Sequence, residues 1–180
     1  VITFPIPILF ALLLNELRSS KFRRVVQTCT YFPYFISWVV YGGIVLAFLS
    51  SDGGFINNIL LQLGLIDNSI TFMSNPDYFY AIVIVSSAIK GTGWGSVIYV
   101  AAITGVDPQI YEAARIDGAG RWQQTLHVTL PGISSTIIIL LILRMGSVMS
   151  VGYEKIILLY NDGILETADV ISSFVYRRGL

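Results

Sequence analysis

The chain alternates between long apolar stretches and short polar gaps, and this pattern predicts helices that cross a membrane. Residues 25–51 contain no Asp, Glu, Lys or Arg, and a helix needs about 20 apolar residues to cross the hydrocarbon core. Residues 78–106 and 128–153 are interrupted by a single charge each. We interpret the uncharged but shorter stretch 1–15 as the end of a further helix. The pattern therefore predicts an all-α, polytopic transmembrane bundle with four spans in one membrane domain, 1–180.

Composition supports a membrane protein and excludes several other classes. Hydrophobic residues make up 54% of the chain and charged residues 12%, whereas soluble domains contain about 25% charged residues. The formal net charge of zero argues against general attraction to nucleic acid. Since there is one cysteine, an intrachain disulfide and a multi-cysteine metal site are both excluded.

The distribution of basic residues predicts the orientation of the spans. The gap 52–77 has no Lys or Arg, whereas the first and third gaps contain Arg18, Lys21, Arg23, Arg24, Arg115 and Arg121. Cytoplasmic loops are enriched in Lys and Arg, so the first and third gaps are expected to be cytoplasmic and the second external. The external gap contains an apolar run, 55–66, that is too short to span. We expect it to form a short helix on the outer surface with Asn57, Asn58 and Gln62 on its wet face.

Two charges interrupt the spans. A charge at the bilayer centre costs about 2.5–3.5 kcal/mol, and Lys90 is followed by three glycines within residues 91–95. One interpretation is a bend that lines a pathway, with Lys90 facing water; the other is close helix packing at the glycines, with Lys90 reaching an interface. Arg144 allows the same two interpretations, or a pairing with Glu154 or another subunit.

The third gap, 107–131, is a polar insert with the signals of two short helices. Asp107 is a candidate N-cap, and Pro108 suits the first helical position. A first helix is expected over 109–116, followed by a left-handed glycine at Gly118. A second, amphipathic helix is expected over 119–129, with Trp122 and Leu126 on its apolar face. An insert of this shape, held by a span at each end, suits a docking element at the cytoplasmic surface.

The insert also resembles a known family. Glu112-Ala113-Ala114, Gly118 and Leu130-Pro131 match the EAA motif of binding-protein-dependent ABC importer permeases, E-A-A-x3-G-x9-I-x-L-P, with Val128 in place of Ile. Asp117 and Ala119 complete the "DGA" form common in sugar permeases. Other stretches, such as "WGSVIYVAAITGVDPQIYEAARIDGA", are similar to permeases of lipoprotein-dependent oligosaccharide importers, including the aldouronate type.

This resemblance implies a type I permease fold in the bacterial cytoplasmic membrane, represented by about four of its six spans, that imports a carbohydrate. It implies that the insert is a coupling helix. The expected partners are a second permease subunit, two cytoplasmic ATPase subunits and an extracytoplasmic solute-binding lipoprotein. ATP and magnesium are expected on the ATPase and no cofactor on this chain, which has no GxxxxGK[ST] phosphate loop.

Other functions are less consistent with the residues. Glu112, Asp117 and His127 could suggest acid–base chemistry, but a single His without a second ligand makes neither a metal site nor a nucleophile pair. A secondary transporter would leave the spacing of the EAA motif unexplained, and an amino-acid or peptide permease remains an alternative. Candidate pathway residues are Lys90, Trp94, Tyr99 and Trp38, although an aromatic belt or ordinary helix packing is the favoured explanation for any one of the aromatic residues.

Overall fold

The computed structural model describes residues 3–147 together with 156, 158 and 159. In those residues all regular structure is helical, which confirms the all-α prediction. The elements are α1 (Pro5–Glu16), α2 (Ser20–Phe35), α3 (Trp38–Leu49), α4 (Phe55–Gln62), α5 (Pro76–Thr104), α6 (Pro108–Ile116), α7 (Arg121–Gln124), a π-helical turn (Thr125–Thr129), α8 (Leu130–Gly132) and α9 (Ser134–Gly146).

One described helix, α5, is long and apolar enough to cross a membrane by itself. The number rises to three if α2 with α3, and residues 121–132 with α9, each count as one broken span. The second of these pairs is bent by 59° at Ile133. Helix α1 is apolar but has only 12 residues. The prediction of four spans therefore remains a prediction.

The apolar stretch 25–50 is not one helix, so this part of the prediction is wrong. Helix α2 starts before it, at Ser20, and ends at Phe35. Pro33 has no N–H to donate within the last turn of α2. The Ser37 hydroxyl then accepts the Val40 N–H at 3.3 Å and caps a new helix, α3. The break is made by a proline and a cap rather than by a charge, which is why the hydropathy pattern does not reveal it.

Described residues of 1–34 and 88–149 form one compact unit. Its core contains buried apolar side chains from α1, from α5 and from the start of α9, with Leu130 packed against them. These buried residues are Ile8, Ala11, Tyr99, Ile103 and Ile133. The insert is thus attached to a core to which both of its flanking helices contribute.

Helix α5 runs without interruption through the glycines at 91, 93 and 95, so of the two interpretations of these glycines the bend is wrong. Gly93 allows a close approach instead: a Cβ at this position would overlap the backbone carbonyl of Thr30 on α2. The alternative interpretation, close packing of neighbouring helices at these glycines, is therefore the correct one at Gly93.

Described residues of 35–87 and 150–180 form the second unit. Phe79, Ile156 and Leu159 make up its buried cluster, and the Tyr41 hydroxyl donates to the Ser86 carbonyl at 3.0 Å. The short helix predicted in the external gap is present as α4, which is followed by Gly64 with φ +65°.

Asn57 does not belong to a wet face of α4, and that prediction is wrong. Its side chain is 1% exposed. Its amide nitrogen donates to the carbonyls of Ser50 at 2.9 Å and Ile70 at 3.0 Å, and its oxygen accepts the Ile70 N–H at 2.9 Å. Because a buried amide is stable only when it is hydrogen-bonded, Asn57 joins the end of α3 to the loop that follows α4.

Candidate functional site

The first helix of the polar insert starts as its sequence predicts. The Asp107 carboxylate accepts the Gln109 N–H at 2.9 Å, which supplies a partner for one of the unpaired amides of the first turn. Pro108 occupies the first helical position, where a missing N–H has no effect on the hydrogen bonds of the helix. Helix α6 then continues to Ile116, as expected.

The elbow after α6 depends on Gly118. This glycine has φ +80°, a conformation that L-residues with a Cβ rarely adopt, so the predicted left-handed glycine is confirmed. The turn returns its amides to the last carbonyls of α6: the Asp117 N–H donates to Ala113 at 3.0 Å, and the Ala119 N–H to Ala114 at 2.9 Å. The path of the chain at this point is therefore fixed by backbone hydrogen bonds.

The second helix of the insert begins at Arg121, two residues later than predicted. The Gln123 side chain accepts the Gly120 N–H at 2.8 Å, an arrangement related to a capping box. The helix contains a π-helical turn at Thr125–Thr129. Pro131 lies just beyond this turn, and in a regular α-helix it could not donate to His127 and would press on its carbonyl. A wider turn before the proline relieves that conflict.

Two contacts hold the insert together at its base. The Tyr111 hydroxyl of α6 is 2.9 Å from the hydroxyl of Thr129, which is buried at the end of the π turn. Gly132 packs against Val106 so closely that a Cβ there would lie 2.9 Å from the Val106 Cγ2. The points where the chain enters and leaves the insert are therefore adjacent. No sequence pattern predicted either contact, because their partners are far apart in the chain.

Helix α1 is also joined to the insert. The Thr125 hydroxyl donates to the Glu16 carboxylate at 3.1 Å, and the Arg121 Nε lies 3.5 Å from the same carboxylate. Both charged side chains are partly exposed, so the ion pair itself contributes about 0–1 kcal/mol. Its main effect is to define which surface of the second helix faces α1.

The residues of the EAA motif are divided between the tip of the insert, residues 112–119, and its base, where the chain enters and leaves the insert. Glu112, Ala113, Asp117 and Gly118 are exposed, and Ala114 and Ala119 are half-buried beside them. Leu130 packs against the core of the first unit, whereas Pro131 is exposed at the end of the insert. The part of the motif at the tip is therefore accessible at the surface, whereas Leu130 attaches the insert to the core of the first unit.

The tip also has a small groove of about 290 Å³ between α6 and the second helix. Its lining includes Asp117, Gly118, Gln123 and His127. The His127 Nδ1 is 3.1 Å from the Gln123 carbonyl. Within the part of the chain that the structure describes, no group of three His, Cys, Asp or Glu side chains could hold a metal ion. The groove is thus small and is lined in part by polar side chains.

Lys90 does not face water, so that interpretation is wrong, and the other interpretation, that Lys90 reaches a membrane interface, stays a prediction. Its side chain is 6% exposed, and its Nζ donates to the carbonyls of Pro33 at 2.9 Å and Tyr34 at 3.3 Å. The last carbonyls of a helix have no intrahelical partner and carry partial negative charge. The Lys90 ammonium therefore supplies hydrogen bonds to two of the last carbonyls of α2.

The other three candidate pathway residues have different environments. Tyr99 is 4% exposed in the core of the first unit, so it presents no surface to a pathway in this conformation. Trp94 is half exposed and stacks on Tyr34 with ring centroids 5.0 Å apart. In the second unit, the half-buried Trp38 packs edge-on against Tyr41. A pathway role for Trp94 and Trp38 stays a prediction.

Known proteins resemble this chain over most of its length. A permease of the polygalacturonan/rhamnogalacturonan transport system, YteP of Bacillus subtilis (strain 168), is 45% identical over 99% of this chain and 55% of its own length. The lactose transport system permease LacF of Rhizobium radiobacter is 30% identical over 77% of this chain and 47% of its own. The chain thus spans about half the length of these curated relatives.

A solved structure agrees with these relatives. The crystal structure of a bacterial ABC transporter involved in the import of the acidic polysaccharide alginate contains a chain that is 47% identical, with a TM-score of 0.94 over 98% of this chain and 61% of that one. The family model described as "binding-protein-dependent transport system inner membrane component" matches residues 4–152. The chain therefore belongs to the family of inner membrane components of binding-protein-dependent transport systems.

Proposed function

We propose that this chain is the membrane-spanning part of a permease subunit that imports a carbohydrate, and that its insert docks on a cytoplasmic ATPase. The observation that carries the proposal is the exposed tip of the insert, Glu112 to Gly118, on a base that is fixed at several points. ATP and magnesium would bind to the ATPase, and the assembly would contain two ATPase subunits, a second permease and a solute-binding lipoprotein.

The mechanism follows from the stiffness of the insert. The elbow is held by backbone hydrogen bonds, and the base is closed where Gly132 meets Val106. A force applied to the tip would therefore move α6 and the second helix together rather than separate them. Both ends of the insert continue into apolar helices, α5 and α9. Closure of the ATPase would thus rotate those helices and switch the permease between inward and outward openings.

The proposed cargo is an oligosaccharide. The name of one similar protein refers to polygalacturonan and rhamnogalacturonan, and the description of a similar structure refers to the acidic polysaccharide alginate. This supports a sugar in preference to an amino acid or peptide. The stacked rings of Tyr34 and Trp94 have exposed surface on which the apolar face of a sugar ring could pack.

The first test is co-purification of the full-length permease with its ATPase subunits. We expect wild type to capture the ATPase and a variant with Glu112→Ala and Gly118→Val to lose it. Ser135→Ala, at an exposed position just after the insert, is the matched control and should capture the ATPase as wild type does. A well-folded double variant that captures as much ATPase as wild type would contradict the docking role of the insert.

The cargo requires a second measurement, uptake of labelled sugars by proteoliposomes that contain the complete assembly. We expect ATP-dependent uptake of an acidic oligosaccharide when the binding protein is present. Uptake of an amino acid or peptide instead would refute the proposed cargo and leave the docking proposal intact.

A further inference from the structure

An apolar groove lies between α1 and the second helix of the insert, on the opposite side of that helix from the small groove at the tip. We name it the α1 groove. Its volume is about 610 Å³, which is within the range of small-molecule sites. Its walls include Ile8, Leu9, Leu12 and Leu13 of α1 and Trp122 and Leu126 of the insert.

The walls of the α1 groove are exposed, as are many large apolar side chains in the described part of the chain. Leu13 is 67% exposed and Trp122 is 77% exposed, and both belong to one continuous apolar lining. In a membrane-spanning domain such an apolar lining is covered by lipid or by polypeptide, because contact of apolar surface with water is unfavourable. The groove therefore requires an apolar occupant.

The polarity of the groove changes along its length. Apolar side chains line its interior, and Glu16 and Arg121 lie at one end, beside Trp122. Trp is enriched where a membrane meets water. An occupant that satisfies both regions has an apolar chain and a polar head, as a phospholipid does.

The charge of the segment that follows α1 in the chain favours an anionic head group. Four basic residues follow α1 within eight positions, and no acidic residue lies among them: Arg18, Lys21, Arg23 and Arg24. All are exposed or half-buried. Clusters of four or more basic residues next to a transmembrane helix attract anionic lipid head groups. Glu16 opposes this attraction, but its carboxylate already accepts from Thr125 and faces the Arg121 Nε.

We propose that the α1 groove binds an anionic phospholipid of the cytoplasmic leaflet. One acyl chain lies between α1 and the insert, and the phosphate lies against the terminal nitrogens of Arg121. The guanidinium has five N–H donors, so contact with Glu16 through Nε leaves donors that can reach the phosphate. The lipid would fill the space beside the proposed docking element and join α1 to it. This binding site does not depend on the identity of the transported solute.

The test is lipid binding to the full-length permease. Delipidated protein in detergent is titrated with phosphatidylglycerol, and bound lipids are counted by native mass spectrometry. We expect Arg121→Gln to weaken the tightest site about fivefold, the effect of one basic residue near an anionic head group. Arg115→Gln, a cation of the same insert that does not line the groove, should bind as wild type does. Equal binding by both variants and wild type would overturn the proposal.

A second measurement requires no mutation. Wild-type permease in lipid nanodiscs is exposed to phosphatidylglycerol or phosphatidylcholine that carries a photoreactive acyl chain. We expect labelling of peptides within 5–16 and 121–130, stronger with the anionic lipid. Equal labelling by both lipids would indicate ordinary surrounding lipid, and absence of label from these peptides would indicate that polypeptide fills the groove. Either result would overturn the proposal.

Discussion

Two neighbouring glycines of α5 should respond in opposite directions to the same substitution. A Cβ at Gly93 would overlap the carbonyl carbon and oxygen of Thr30, which are backbone atoms that cannot move aside cheaply. A Cβ at Gly91, two residues earlier, would meet nothing within 4 Å. We therefore expect Gly93→Ala to destabilise the permease and Gly91→Ala to stabilise it.

The magnitudes follow from packing and from helix propensity. Replacing a helical glycine by alanine stabilises the helix by about 0.5–1 kcal/mol where the space is open. Forcing a methyl group into a packed contact costs about 1–3 kcal/mol. The gain in helix propensity is common to both variants, so they should differ by the packing cost alone, about 1–3 kcal/mol. Unfolding entropy is about 2.1 cal/mol/K per residue, so in a full-length permease of roughly 300 residues each kcal/mol shifts the melting temperature by about 1.5 °C, and the two Tm values should differ by about 1.5–5 °C.

The assay is thermal unfolding of the detergent-purified full-length permease, with wild type measured in parallel. Both substitutions add one methyl group to the same helix, so general effects of alanine cancel in the comparison. If Gly93→Ala had the same Tm as Gly91→Ala, α2 and α5 would not cross in close contact at Thr30. The assignment of Gly93 to helix packing, rather than to a bend that lines a pathway, would then be refuted.

Three further predictions concern single side chains. Lys90→Met keeps the apolar stem but leaves the carbonyls of Pro33 and Tyr34 without the ammonium. We expect the free energy of unfolding to fall by about 1–3 kcal/mol, measured by thermal unfolding. An unchanged Tm would contradict the role of Lys90 at the end of α2. Gly118→Val should reduce ATPase capture about 5- to 30-fold, because a side chain with a Cβ costs about 1–2 kcal/mol in the left-handed conformation. Gly118→Asn should reduce capture less, because Asn tolerates this conformation. Equal capture by the two variants would exclude backbone strain as the cause. Asn57→Leu should make residues 51–75 more sensitive to protease by removing three hydrogen bonds without changing ATPase capture, and an unchanged cleavage rate would show that Asn57 does not secure this loop.

The sequence predicted local features of the insert better than it predicted contacts between helices. Asp107, Pro108 and Gly118 act within a few residues of themselves, so capping and turn preferences were sufficient to identify them. The Gly120–Gln123 hydrogen bond could also have been found, since its spacing resembles a capping box.

The remaining features depend on partners distant in the chain. Thr125 and Glu16 are 109 positions apart, and Lys90 and Pro33 are 57 positions apart. Hydropathy treats Lys90 as a costly charge, because it does not represent carbonyls supplied by another helix. It likewise reads Asn57 as a polar surface residue, although three hydrogen bonds allow its burial.

The contact of Lys90 with α2 also bears on the order in which the protein is assembled. Entering the bilayer alone, α5 would carry an unpaired ammonium, at a cost of about 2.5–3.5 kcal/mol. The carbonyls that accept its hydrogen bonds belong to Pro33 and Tyr34, which are synthesised earlier than Lys90. Because membrane helices are inserted in order from the N-terminus, α2 can already be in the membrane when α5 is inserted. A circularly permuted chain that delivered α5 first would lack this partner during insertion, even though its final contacts were the same.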